Sequence, residues 1–541
     1  MQRRVIVAGL FAVLTLVMTL PISLHPAGLR LGGGADPNLY IWTIGWDTHA
    51  LTRAPWAAFD ANIFFPYKHT LAYSEHALGT ALLALPIMWA TGDPLTATNM
   101  MTVVSVLICA LGGYFLARTL GLSPAASFIC GLTFAFAPPR FARLAQIHLA
   151  VHWVPFGLAF LHRYLEHGRA RDVRLTLGML SLQALTSGHG AAFLVFGMAL
   201  MAGFRLAGGL PVAFARRVRD IGLPGIVLLL PAALSFIPYW LARRDVSLER
   251  VYDDVGIAWS SYVSSPSYAH RFVLSLMPDW AWLRAEPDAF LFPGFLTLGL
   301  AALACSRRVP RERWMWLAMA GVSVWLAIGP PLSIWRWVYW LPGFNFIRVP
   351  SRFTLLGILA LAVLAGLGFD RLVRSWSSRW QLVAAAACSV LLLAEFAMPV
   401  DARPFTIDTA AVDRWLDTQP KPFAIAEVPL SESRTDARRA EMATKYMLHS
   451  LAHHQPTVYG YSGAEPSGYK SLYDDLIRFP SEKSIARLTD LGVTYVVVHL
   501  EYYSPEYRPE YEARFAGFSD RLRLVHQDGL GRVYRLVATQ R

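Results

Sequence analysis

Residues 31–76 read LGGGADPNLYIWTIGWDTHALTRAPWAAFDANIFFPYKHTLAYSEH. Four carboxylates, Asp36, Asp47, Asp60 and Glu75, stand here among Tyr40, Trp42, Trp46, Trp56, Tyr67 and Tyr73, between two apolar stretches. A carboxylate just beyond a membrane helix is costly to desolvate, so it faces water, a cavity or a substrate. Tryptophan and tyrosine suit the headgroup level, being apolar with a polar edge. The stretch reads as an acidic centre held at a membrane surface by amphipathic helices.

Working outward, the rest of the chain is largely lipid-soluble. Of its 541 residues 55% are hydrophobic and 16% charged, against about 25% charged in a soluble domain. Apolar runs near 5–24, 96–117, 121–138, 147–164, 174–188, 190–208, 221–241, 290–306, 313–329, 352–370 and 380–399 suggest about eleven membrane crossings. The fold class expected is a polytopic α-helical membrane protein. The apolar stretch 77–91 is short and ends in Gly92-Asp93-Pro94, and it reads as a juxtamembrane or re-entrant helix.

Charge supports that choice. With the N-terminus cytoplasmic, Arg118, HGRARDVR (167–174), RRVRD (216–220), SRRVPRER (306–313) and DRLVRSWSSR (370–379) all fall inside, as the positive-inside rule requires. The net charge of +12 is thereby explained without a nucleic-acid partner. Cys109, Cys130, Cys305 and Cys388 lie within or at the ends of apolar runs and have no metal-ligand spacing. There is no Walker loop, dinucleotide fingerprint or nucleophile elbow.

The outside then receives 25–95, the turn 139–146, Ser187-Gly188-His189-Gly190, the loop 242–289, the loop 330–351 and the tail. The domain boundaries expected are 1–400 for the transmembrane part, with outer loop 25–95, and 401–541 for a soluble extracytoplasmic α/β domain. In that tail FAIAEVPL (423–430) and VTYVVVHL (493–500) read as strands, 437–452 and 481–492 as helices, and LRLVHQDGLGRVYRLVA (522–538) as a hairpin turning at Asp528-Gly529.

The candidate residues each carry two readings. Asp36 follows Gly32-Gly33-Gly34 and precedes Pro37; it suits a base that deprotonates a hydroxyl, or the cap of a helix over 37–53. Asp47 falls on the expected wet face of that helix. Glu75-His76 either meet substrate or open the helix 77–91. Arg348 and Arg352 suit a phosphate held by a guanidinium fork or arginines snorkelling to headgroups, as do Arg140 and Arg143. His148 and His152 share one helical face at zinc-ligand spacing, but no helix-borne acid accompanies them, which favours hydrogen-bonded interfacial histidines. His189 reads as a turn residue on the side that lines a cavity. In the loop 242–289, Arg243, Arg244, Glu249, Asp253, Asp254 and Tyr262 read as a solvated cover. Tyr459-Gly460-Tyr461-Ser462-Gly463 suits sugar stacking less well than strand and turn packing.

This arrangement of a first span, a long acidic outer loop, short outer turns and a C-terminal outer domain resembles the GT-C glycosyltransferase superfamily. FAFAPPRFARLAQIHLAVHWVPFGLAFLHRYLEHGRARD (134–172) resembles bacterial family-39-like members, and LPGFNFIRVPSRF (341–353) and LTDLGVTYVVVH (488–499) a bacterial subgroup of them. The resemblance implies transfer of a sugar from a polyprenyl-phosphate donor to a lipid, glycan or protein acceptor, on the outer face of a bacterial inner membrane. It implies Asp36 as the essential aspartate of the first outer loop. In the second outer turn, Arg140, Arg143, Gln146 and His148 stand where a second acid is usual. No cofactor is assigned, and use of a divalent metal is left open. The alternatives are a transporter or flippase of lipid-linked sugars and an inactive scaffold. The first needs acids midway along spans, for which Glu395, near an outer end, is the nearest case.

Overall fold

The computed structural model describes residues 2–206, 214–247, 257, 259–275, 289–305, 312–329, 333–341, 344–431 and 436–537. Glu249, Asp253 and Asp254 lie outside the described residues. The chain forms two compact units. The first comprises 1–26, 99–235 and 249–402; the second comprises 27–98, 236–248 and 403–541.

The first unit is helical. Each expected apolar run contains a helix: Gln2–Met18, Pro94–Thr119, Pro124–Phe136, Val154–His167, Ala170–Thr186, Gly188–Leu206, Phe214–Ala242, Phe295–Ala304, Arg313–Ala327, Thr354–Val373 and Ser378–Phe396. Among the described residues, the helical stretches 94–119, 188–205, 219–242, 350–373 and 378–396 are long and apolar enough to cross a membrane. The chain is therefore a multi-pass membrane protein.

Local chemistry sets the ends of these helices. Ser123 accepts from the Ala126 N–H at 3.3 Å ahead of Pro124, a capped start. Gly168, at φ 61°, closes the helix Val154–His167 in the left-handed conformation that glycine tolerates. Glu395 accepts from the Leu296 N–H at 3.1 Å and from the Phe295 N–H, and meets His270 Nε2 at 2.9 Å. This acid caps the helix Phe295–Ala304, and its partners satisfy it in place.

Burial sorts the helices. The apolar window of 350–373 is 83% buried, against 17% for 219–242. The first is the core of its unit, packed with Phe11, Phe134, Leu158, Phe193 and Trp316. The second presents Leu223, Ile226, Val227, Leu230 and Leu234 outward. An exposed apolar face of that extent is tolerated where hydrocarbon surrounds it.

The second unit joins residues 27–98 to the tail. Four strands, β1 (Ile425–Val428), β2 (Tyr495–His499), β3 (Leu522–Asp528) and β4 (Gly531–Leu536), form one sheet in the order β1-β2-β4-β3. β1 and β2 run parallel, with Ile425 opposite Tyr495, and the other pairs are antiparallel. The hairpin turns at Gly529, φ 54°. Helices Asp436–Ser450 and Glu482–Asp490 match the expected ones, the latter opening on a Ser481/Ser484 capping box. Val412, Leu416, Phe423, Val497 and Val533 pack one face of the sheet.

Helix Asp36–Arg53 is buried along most of its length, from Pro37 to Thr48 without a break. It is not the half-wet amphipathic helix expected. Leu451 lies against Gly45, where an added Cβ would come within 2.8 Å of it. The His49 and His454 rings stack at 3.5 Å, and Asn38 Nδ2 donates to Thr444 Oγ1 at 3.2 Å.

Small residues let helices of the first unit approach closely. A Cβ on Gly131 would stand 2.4 Å from the Ala110 carbonyl and 2.8 Å from the Phe11 ring, whereas one on Gly178 meets nothing within 4 Å. Gly131→Ala is expected to destabilise by about 1–3 kcal/mol, the range of overpacking. Gly178→Ala is expected to be neutral or slightly stabilising. Thermal unfolding in detergent compares the two.

Candidate active site

In the second unit, Asp36 is the first residue of its helix and is exposed. The N-cap is Ala35, without a side-chain hydrogen bond, so the Asp36 carboxylate is not used as a cap. Its Oδ1 accepts from the Tyr461 hydroxyl at 2.6 Å. The glycines before it make room: the Arg403 guanidinium lies where a Gly33 Cβ would be, 2.6 Å away.

Asp47 is fully buried, which corrects its expected place on a wet face. One oxygen accepts from the Ala77 N–H at 3.1 Å, just ahead of the helix Leu78–Thr91; the other has no hydrogen-bond partner. Burial pushes the carboxyl up to about 8, against the pull of the Ala77 N–H. Asp47 is therefore neutral at pH 7.

His76 is also buried. Its backbone N–H donates to the Tyr239 hydroxyl at 3.0 Å, and that hydroxyl donates to the Ser74 carbonyl at 2.9 Å. The same hydroxyl lies 3.2 Å from His76 Nδ1. With the hydroxyl proton on Ser74, Nδ1–H donates and Nε2 keeps its lone pair; Nε2 has no partner. Burial brings the imidazole down to about 4, with Glu75 opposing, so the ring is neutral. Glu75 is half-buried.

In the first unit, Arg140 and Arg143 are buried. Arg140 donates to the Ala135 carbonyl at 2.7 Å and to Cys109 Sγ at 3.2 Å; its Nε has no partner. Arg143 donates to the Pro139 carbonyl. Both line a cavity of about 40 Å³ with Thr102, Ser105, Gln146 and Leu355. That volume suits a few waters and is too small for a sugar ring.

Arg352 is half-buried and donates to His189 Nε2 at 3.2 Å, which makes that nitrogen an acceptor. The His189 ring meets His148 edge-on at 5.7 Å and Phe346 at 5.0 Å. Arg352, His189 and His148 thus form one cluster, while Arg348 is exposed. His189 sits in the first turn of the helix Gly188–Leu206 rather than in a turn between helices.

His148 and His152 do not share a helical face. His148 lies on the 3-10 turn Ile147–Leu149, and the α-helix begins only at Val154, before Pro155. His152 meets Ser105 Oγ at 3.0 Å, in line with the hydrogen-bonded reading. Sequence reasoning did not single out Tyr239 or give Tyr461 a role at Asp36. Tyr461 belongs to the noted YGYSG run, whereas Tyr239 carries no local signal.

No protein-family model matches the chain, and no curated protein sequence matches it. Solved structures do. The arabinofuranosyltransferase AftD from Mycobacteria is similar at TM-score 0.60 and 14% sequence identity, over 98% of this chain and 40% of that one. A mutant of AftD gives 0.56 and 15%, over 98% and 41%. The chain has a GT-C glycosyltransferase fold. It spans about two fifths of the AftD chain. The similarity extends over both compact units, since nearly all residues are covered.

The Asp47 carboxyl gives a signed pH dependence. Its folded value of about 8 exceeds the unfolded value of about 3.9, so the folded state holds the extra proton between them. Stability contributed by this group is full below about 4 and is lost as pH rises toward 8. Asp47→Asn is expected to match the wild-type unfolding temperature below about pH 4, to exceed it progressively from there to about pH 8, and to keep a constant lead above that. Parallel profiles for the two proteins contradict the assignment.

Proposed function

We propose that this protein is an inverting GT-C glycosyltransferase of a bacterial inner membrane. It moves a sugar from a polyprenyl-phosphate donor to an acceptor on the outer face, with its N-terminus cytoplasmic and its C-terminal domain extracytoplasmic. The observation that carries the reading is Asp36, an exposed carboxylate at the first turn of the outer helix, oriented by the Tyr461 hydroxyl at 2.6 Å, in a GT-C fold. AftD, whose fold it shares, is an arabinofuranosyltransferase, which supports a glycosyl transfer chemistry.

The mechanism is one displacement. The Asp36 carboxylate accepts the proton of an acceptor hydroxyl as that oxygen attacks the anomeric carbon. The bond from that carbon to the phosphate oxygen breaks, and polyprenyl phosphate leaves with the electron pair. Tyr461 holds one carboxylate oxygen, and the other is assigned to the acceptor. Guanidinium groups stabilise a phosphate leaving group; Arg352, positioned by His189, and Arg348 and Arg140 are assigned that role. Asp47, Glu75, His76, His148 and His189 are assigned to shaping the substrate sites. The apolar isoprenoid lies along the exposed apolar helix faces. The boundaries 1–400 and 401–541, and about eleven crossings, belong to the same proposal.

Loss of a general base costs about 10²–10⁴-fold. Asp36→Asn is therefore expected to reduce transfer at least ~100-fold at normal protein level. Tyr461→Phe, which keeps the carboxylate and loses only its orienting bond, is expected to cost about tenfold, one hydrogen bond's worth. The readout is mass spectrometry of lipid-linked sugars and envelope glycans in strains carrying each variant. A donor that accumulates while one glycan loses a single sugar supports the reading. Full transfer by Asp36→Asn overturns it.

A further inference from the structure

The sheet of the second unit contains an anomaly. Glu427 sits in the middle of β1, in a strand whose four residues are all buried. A buried carboxylate needs charged or hydrogen-bonding partners, and histidines supply them. Glu427 Oε2 lies 2.8 Å from His499 Nε2, at the end of β2, and 3.1 Å from His449 Nδ1, on the helix Asp436–Ser450. Asp413, on the helix Ala411–Asp417, brings Oδ2 to 3.8 Å from His449 Nδ1. All four residues are buried, at 0–1% exposure.

We propose that Glu427, His449, His499 and Asp413 form a buried binding site for a zinc-type divalent cation that ties the sheet to its covering helices. The donor atoms of Glu427, His449 and His499 all lie within 4.8 Å of one another. On tetrahedral zinc, with bonds of about 2.0–2.1 Å, neighbouring donor atoms stand about 3.3 Å apart. The 2.8 and 3.1 Å separations need to open by only a few tenths of an ångström, and Asp413 approaches as a fourth donor. Two imidazoles with two carboxylates suit zinc better than calcium or magnesium, which take oxygen donors.

Two further observations point to an ion. His499 places a carboxylate on each ring nitrogen: Glu427 at Nε2, and Glu501 Oε1 at 3.3 Å from Nδ1. With a cation on Nε2, the Nδ1–H is left to donate to Glu501. Carboxylate–imidazole–metal relays have this form, and the outer acid fixes the ring. In addition, Glu427 Oε1 and both Asp413 carboxylate oxygens are buried with no hydrogen-bond partner. Complete burial marks the site as structural, since a catalytic zinc keeps an open position.

The test uses the full chain, purified in detergent with its affinity tag removed. Elemental analysis is expected to find about one equivalent of zinc. Cobalt loaded in its place is expected to give visible d–d absorption. His449→Ala and His499→Ala are expected to lose the metal. Because those variants can also unfold the sheet, Glu501→Gln provides the second arm: it is expected to keep the fold by circular dichroism while weakening zinc about 10–100-fold in chelator competition, as outer-shell partners do. A folded chain that retains no metal, takes up no cobalt, and unfolds at one temperature with zinc or chelator overturns the site. None of these readouts involves sugar transfer, so the site and the enzymatic reading stand or fall separately.

Discussion

The stacking of His49 on His454 at 3.5 Å, with Asn38 bonded to Thr444 and Leu451 seated on Gly45, holds the outer helix against the tail. The tail buries that helix, and this single constraint decides the state of its side chains. Asp47 is neutral because it is desolvated, and Asp36 stays in water only because it is the first residue of the helix. A loop that crosses back to the bilayer alone would leave both acids wet. Here the outer loop and the C-terminal domain share one compact unit, and the acid proposed as base is oriented by a tyrosine more than four hundred residues away in the chain.

The first unit holds its charged side chains in fixed hydrogen bonds. The helical unit supplies cations that are buried and already hydrogen-bonded, Arg140 and Arg143, and a half-buried Arg352 fixed by His189. Such groups lose little freedom when they meet an anion, which is what favours a guanidinium where phosphate charge develops. Glu395 shows how the helical unit treats a carboxylate of its own: it is held by a helix N-terminus and His270.

Much of this was legible in the sequence. Apolar runs announced the long helices of the first unit, because length and hydropathy are local properties. The tail's strands and its Asp528-Gly529 hairpin were announced by alternation and turn chemistry. What failed were inferences that assumed water on one side. The wet face of Asp47 followed from helical periodicity, but the surface covering it comes from the tail, and periodicity carries no information on distant partners. The common face of His148 and His152 failed for a local reason that the sequence did contain: Pro155 favours the first turn of a helix, which places the start after His152. Tyr461, Tyr239 and the Glu427–His449–His499 group converge from separate elements, so no spacing in the chain betrays them.

The central claim is glycosyl transfer from a polyprenyl-phosphate donor, and the most direct measurement is made on the purified protein. Wild type reconstituted in bilayers is given synthetic polyprenyl-phosphate sugars with an envelope-lipid acceptor extract, and release of free polyprenyl phosphate is followed. The account predicts release that requires both acceptor and enzyme, with inverted stereochemistry at the anomeric carbon of the product. Movement of intact donor between leaflets, without any cleavage of the sugar–phosphate bond, contradicts it.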